Sequence, residues 1–302
     1  MYLKLVEYSM RPEVQERAIV YLAEHLGKFL NPGEHVVLAF REHKPGNISW
    51  LMEQAALRIK AIPVIWGPDR HWNTLLMQTF LCHASAVIGP PMVILGLMKL
   101  KRYKNTPLPI RKVVTAGYPC PQWMIDGIVK GLDCEVGGCF SIVESGVVAG
   151  FACGHSWGVH LRQDEYHVDI VDASGNTLPA GEIGEMVISP VEAPQIRYSI
   201  GDKGRMETTK CHCGSDTVRL LDMEQGINVD RELYDLSQEL MQWTSILDCS
   251  VVRGDSGLEL EILVFPGEKL PKLPSVAKLV IRSWEPKSDG PFWYFPGNNS
   301  AI

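Results

Sequence analysis

The period of apolar positions changes along this chain. Over residues 12–30, Val14, Ala18, Tyr21, Leu22, Leu26 and Phe29 recur near helical spacing behind a proline that suits a first turn. Asn31-Pro32-Gly33 ends that helix, and the largely apolar run 35–40 predicts a buried strand. The alternation continues with a helix over 48–59, a strand over 62–66, a helix over 72–81 and a strand over 86–89. A helix over 91–101, a strand over 111–117 and a helix over 121–130 complete it. Strand and helix alternating through short connections predict a parallel sheet with helices on its faces.

From residue 133 the period falls to two. Residues 165–171 alternate, 173–176 read as a turn and 184–189 as a strand, which predicts an antiparallel or mixed β region. A boundary near 223–228 divides a large domain, 1–223, from a small α+β domain, 224–302. The small domain has an amphipathic helix over 231–243, strands over 249–253 and 258–265 joined by a tight turn, and a helix or strand over 276–284. The expected fold class is therefore α/β: a mainly parallel sheet with flanking helices and a β-rich extension, plus a small C-terminal α+β domain.

Composition narrows the function classes. At 46% hydrophobic and 21% charged, 302 residues can bury a sizeable core. A net charge of −6 argues against a nucleic-acid partner. No apolar run is long enough to span a bilayer, and the first residues lack the pattern of a signal peptide, so a cytoplasmic protein is expected. Of eight cysteines, Cys82, Cys139 and Cys249 sit singly in apolar surroundings and read as small buried hydrophobes. Cys211-His212-Cys213-Gly214 differs. It places two thiols on a tight turn, with a glycine that lets the backbone fold back, and so supplies half of a tetrahedral metal site.

Eight residues before that turn ends Arg197-Tyr198-Ser199-Ile200-Gly201-Asp202. Residues 177–185 read T-L-P-A-G-E-I-G-E, and Phe140-Ser141-Ile142-Val143-Glu144 precedes them. Lys4-x-Val6-x-Tyr8-Ser9 stands near the start and Gly226-Ile227-Asn228-Val229 near the boundary. In order and spacing these segments resemble the adenylate-forming enzymes, and within them the phenylacetate-CoA ligase-like branch. The resemblance implies a site for ATP or AMP with Mg2+. In it Asp202 would accept both ribose hydroxyls, Glu144 would help hold Mg2+, Gly138 and Phe140 would pack against adenine, and Arg197 would sit behind them. The acid would lie near the ends of the parallel strands. That branch also carries a cysteine and then a histidine after the glutamate segment. Here Cys153 and His160 match, completing a structural zinc site of Cys153, His160, Cys211 and Cys213, with His155 and His212 as alternative ligands.

The chain departs from the family at several points. It has no Gly/Ser/Thr-rich loop to wrap phosphates, and it begins where that loop would have ended. Ser141 and Val143 replace a glycine and a threonine. Pro286-Lys287-Ser288-Asp289-Gly290 resembles the approach to a catalytic lysine, but Pro291 stands in its place and leaves Lys287 as the candidate substitute. These losses argue against ordinary ATP-driven adenylation. The expected function is carboxylic-acid activation or acyl transfer on a small or aromatic acid, or its thioester, in a biosynthetic pathway. The alternatives are an enzyme that reuses the pocket without ATP, and a non-catalytic subunit that pairs with another chain; a homodimer is also open. The aromatic stretch 290–297 would dock on the larger domain, close a pocket or meet a partner chain.

Overall fold

The computed structural model describes residues 1–67, 69–142, 146–154, 158–224, 230–287 and 289–292. Its parallel section runs α1 (Tyr2–Ser9), α2 (Pro12–Leu26), β1 (His35–Leu38), α3 (Ile48–Arg58), β2 (Ile62–Ile65), α4 (Trp72–Leu81), β3 (Ala86–Gly89), α5 (Pro91–Lys104), β4 (Lys112–Ala116), α6 (Gln122–Leu132) and β5 (Glu135–Ile142). The antiparallel section adds β6 (Val147–Phe151), β7 (Val159–Leu161), β8 (Tyr166–Val171), β9 (Gly184–Pro190), β10 (Tyr198–Glu207) and β11 (Arg219–Glu224). All eleven strands join one sheet in the order β2-β1-β3-β4-β5-β6-β7-β11-β10-β9-β8. β1 to β5 pair in parallel, and the direction first reverses between β5 and β6.

The strand period sorts side chains between two cores. Val36, Leu38 and Ile88 pack under α2 and α3, against Leu22, Leu26, Leu51 and Ala55. Val37, Val87 and Val113 face α4, α5 and α6, against Leu75, Ile94, Leu97 and Ile128. Local chemistry sets the helix ends: Pro12 occupies the first turn of α2, and the Asn47 side chain accepts the Trp50 N–H to cap α3.

The structure corrects two readings and adds one element. α2 ends at Leu26 rather than residue 30, because residues 27–29 turn away and carry Phe29 against the sheet beside Gly137. α1 is too short to declare a period, yet it buries Leu5 and Tyr8. Cys82 is half-buried, whereas Cys139 and Cys249 are buried as expected.

The C-terminal elements are α7 (Arg231–Gln242), β12 (Ile246–Gly254), β13 (Gly257–Val264) and β14 (Lys278–Ser283). They form a three-stranded sheet, β12-β13-β14, with β14 parallel to β13, so the ambiguous stretch 276–284 is a strand. Leu240, Met241, Ile246 and Ile262 share one continuous core with α4 to α6. Tyr103 of α5 stacks on Phe265 at 4.4 Å between ring centroids and meets Trp284 edge-on. The Trp72 N–H donates to the Asp289 carbonyl at 2.9 Å, so the chain after β14 supplies an acceptor to the free end of α4. Phe292 donates its N–H to Asp248 at 2.8 Å; residues 293–297 of the aromatic stretch lie outside the described residues. Among the described residues no helix is long and apolar enough to cross a membrane.

Candidate active site and metal centre

A cavity of about 710 Å³ opens at the carboxyl end of β4, beside the first half of β5. Its floor is a row of small residues on β4, on β5 and just after β6. Thr115 of β4 stands in register with Gly138 of β5, and the Ala152 N–H after β6 donates to the Gly138 carbonyl at 2.7 Å. Ile125 of α6 and Val136 form one wall, and Val159, Leu220, Leu221 and Met223 another. Cys120 lies at the edge, where burial, only partly opposed by a hydrogen bond with Thr115, pushes its thiol up to about 12. It is a neutral thiol at physiological pH rather than a ready nucleophile. Among the described lining residues the charged ones are Asp222 and Glu224, both at the β11 end. Each already has a partner: Asp222 pairs with Arg205, and Glu224 with Arg231 at 3.3 Å.

The residues singled out from sequence are spread more widely than their motifs suggest. Gly138 lines the cavity. Phe140, two residues on, is buried in the core beneath α1. Arg197 is half exposed and pairs with Asp169 at 3.0 Å. Asp202 is half-buried on β10 near Tyr234 of α7. Burial first, then the Glu224 and Asp202 carboxylates, push the Tyr234 hydroxyl up to about 12. Lys287 is exposed in the turn after β14, two residues before the Asp289 that contacts α4. α4 leads from β2, three strands along the sheet from β4, so Lys287 belongs to a different part of the sheet end from the cavity. Glu144 lies outside the described residues, as do His155 and the segment 226–229. Thr115, Ala152, Asp222 and Glu224 carry no motif, and their meeting is set by strand register.

Four metal-ligating side chains do converge. The donor atoms of Cys153, His160, Cys211 and Cys213 all lie within 4.8 Å of one another. Cys153 Sγ is 3.6 Å from Cys211 Sγ, and Cys213 Sγ is 3.5 Å from His160 Nε2. A tetrahedral ion with Zn–S of about 2.3 Å and Zn–N of about 2.0 Å needs edges of about 3.8 and 3.5 Å, so this donor set can close around one ion. The loop after β6 supplies Cys153, β7 supplies His160, and the turn between β10 and β11 supplies both other thiols. β7 and β11 are paired through His160 and Arg219, which brings that turn over the histidine. Against the lowering effect of the Ser215 amide, burial and the Cys211 and Cys153 thiols raise the Cys213 thiol above its ordinary value. Thiols this close resist ionising together unless a cation neutralises them.

No protein-family model and no curated protein matches this sequence. Solved structures do. 2-Hydroxyisobutyryl-CoA ligase, in the postadenylation state with an acyl-AMP, superposes with a TM-score of 0.66 at 20% identity, over 91% of this chain and 67% of the ligase. The same ligase in its thioesterification state gives 0.63 at 20% identity, over 91% and 66%. A benzoate CoA ligase from Burkholderia xenovorans LB400 gives 0.56 at 14% identity, over 88% and 61%. The chain thus spans about two thirds of the length of the ligases it resembles. What these likenesses establish is architectural: the mixed sheet, its flanking helices and the small extra sheet have the fold of adenylate-forming acyl-CoA ligases.

Proposed function

We propose that the chain activates a carboxylic acid or transfers its acyl group, as a relative of the phenylacetate-CoA ligase-like branch. The observation that carries this reading is the cavity at the carboxyl end of β4 and along β5, set in a fold whose neighbours hold acyl-AMP at 91% coverage of this chain. The substrate is a small or aromatic acid or its thioester, used in a biosynthetic pathway. Asp202 and Arg197 serve the nucleotide and Glu144 its Mg2+; Lys287 is the candidate cation for the charge that develops. Residues 1–223 form the large domain and 224–302 the small one. The Cys153, His160, Cys211 and Cys213 set holds a structural Zn2+, which would pin the β10–β11 turn to β7 and take no part in the reaction.

Calorimetric titration with ATP and with AMP, each with Mg2+, tests the reading. Micromolar binding that Asp202→Ala abolishes, followed by pyrophosphate release with a panel of acids, supports it. Absence of binding at millimolar nucleotide overturns the ATP-dependent form.

One observation favours a second reading, in which the cavity handles an acyl thioester without ATP. Lys287 sits beside the segment that contacts α4, and the described lining of the cavity has no cation to meet a triphosphate. Turnover of acyl thioesters by a protein that fails to bind nucleotide would establish this form. A further possibility, a non-catalytic subunit, predicts a stable complex with a second chain or a homodimer and no turnover.

A further inference from the structure

We infer that the cavity takes a flat, uncharged aromatic group larger than one ring, the aryl end of the acid, and that Gly138 sets this specificity. The inference rests on the acyl-transfer reading for the ligand's origin, but its argument is geometric. Four glycines line the cavity, and three are explained without a ligand. A Cβ on Gly137 would press on Phe29 at 3.0 Å from the opposite face. Gly154 and Gly158 have φ of +74° and +101°, which side chains rarely adopt, and a Cβ on Gly158 would also meet the Leu220 carbonyl at 2.9 Å. Gly138 has no such reason. Its φ is not positive, and a Cβ there would make only ordinary contacts, 3.5 Å to Thr115 Oγ1 and 3.9 Å to Ala152 Cβ. In a strand interior, glycine is less favourable than alanine, so its presence where a side chain fits points to something else lying in that space.

The shape of that space follows from the sheet. Thr115 and Gly138 stand side by side on β4 and β5 and Ala152 follows directly after β6, giving a smooth shelf about 10 Å across, two inter-strand spacings. Ile125 and Val136 bound it on one side, Leu220 and Met223 on the other. A volume of about 710 Å³ lies well within the range of sites that bury drug-sized ligands, more than a single ring needs. Among the described lining residues, Thr115, Cys120 and Gln122 already have hydrogen-bond partners. The Thr115 hydroxyl donates to the Gly137 carbonyl at 3.3 Å, the Cys120 thiol hydrogen-bonds Thr115, and the Gln122 amide donates to Asp126 at 2.6 Å. A nucleobase, whose edge needs several donors and acceptors, would leave its polar atoms unmet against these walls. A hydrocarbon ring would not. The only charges in the described lining are carboxylates, so the acid's own carboxylate stays at the mouth while the ring enters.

The test uses the full chain and neutral probes, so it needs no ATP. 2-Naphthamide, its saturated decalin counterpart and adenosine are titrated against wild type, Gly138→Ala and Gly138→Val by ligand-observed NMR and calorimetry. Naphthamide is expected to bind, the decalin to bind at least tenfold more weakly, and Gly138→Val to weaken naphthamide at least about tenfold, with Gly138→Ala between. Gly138→Ala should melt as wild type does, because its Cβ meets only ordinary contacts. Should Gly138→Val unfold the protein, Gly138→Ala alone carries the comparison. Equal binding of naphthamide to wild type and Gly138→Ala, or its displacement by adenosine, would overturn the inference. Failure of pyrophosphate release with naphthamide binding intact would instead count only against the ATP-dependent function.

Discussion

Lys99 of α5 donates its ammonium to the carbonyl of Met241, in the last turn of α7, at 2.7 Å. The same ammonium reaches the Ile246 carbonyl at 2.7 Å, and the residue is only 1% exposed. The Met241 carbonyl belongs to the last turn of its helix, where carbonyls lack intrahelical partners and a cation is favoured. A buried, hydrogen-bonded charge therefore fastens α7 and β12 to α5, within a core that both sides share. Swinging the C-terminal elements away would expose that core and leave two carbonyls without their donor.

This arrangement has a pH signature. Burial pushes the Lys99 ammonium down to about 7, against the opposing influence of Cys249 and Asp248. An unfolded lysine holds its proton up to about 10.5. Between those values the unfolded chain binds the extra proton, so stability rises with pH across the window, by up to about 1.4 kcal/mol per pH unit from this one group. Lys99→Met should remove that slope and, by leaving the Met241 and Ile246 carbonyls unmet, lower stability near pH 9 by several kcal/mol. Urea unfolding at pH 7, 8 and 9 measures it. An unchanged slope in the variant assigns the effect to another group. If the methionine variant does not fold, Lys99→Gln, which keeps a donor, serves for the same comparison.

The metal centre makes a compositional prediction. Protein prepared without chelator should carry about one zinc per chain, and Cys211→Ser or Cys213→Ser should lose most of it. Loss should also lower the melting temperature, since the ion would join the loop after β6, β7 and the β10–β11 turn. Cys82→Ser, remote in sequence and half-buried on the end of α4, should leave the zinc content unchanged. Less than a tenth of an equivalent in wild type would sink the idea.

The sequence was legible where a signal is local. Val36-Val37-Leu38 reads as a strand because both faces are covered, and Pro12 and Asn47 mark helix starts by their own chemistry. Cys211 and Cys213 advertise themselves by spacing, and Cys153 and His160 by their place in a family pattern. The cavity floor was not legible, because Thr115, Gly138 and Ala152 meet only through the register of β4, β5 and β6. The partners of long side chains were equally hidden: nothing in the Arg-Tyr-x-x-Gly-Asp motif says that Arg197 turns to Asp169. Nor does the period-two pattern after residue 133 say that those strands extend the parallel sheet instead of starting a new one.

Glu165 carries the last prediction. It precedes β8 and is 3% exposed, yet its carboxylate accepts from Tyr8 Oη at 2.6 Å, from Arg17 Nε at 2.6 Å and Nη2 at 2.8 Å, and from Arg162 Nη2 at 3.1 Å. One carboxylate thus ties α1 and α2 to the turn between β7 and β8. Arg162 is itself buried, stands over the Tyr21 ring at 5.1 Å and, among the described ion pairs, has besides Glu165 only the exposed Asp164 at 3.9 Å. Glu165→Gln should therefore cost about 3–5 kcal/mol, the range for stranding a buried ion. Burial alone would raise the Glu165 carboxyl, but the hydrogen bonds from Arg17 and Tyr8 outweigh it and hold the group below its ordinary value. A depressed carboxylate contributes stability that is present above the unfolded value near 4.5 and is lost as pH falls through the folded one. Wild type should then lose stability on going from pH 6 to pH 3 more steeply than Glu165→Gln. A variant that melts at the wild-type temperature at pH 7, with the same acid limb, would show that the two arginines find other partners and that Glu165 is not the tie.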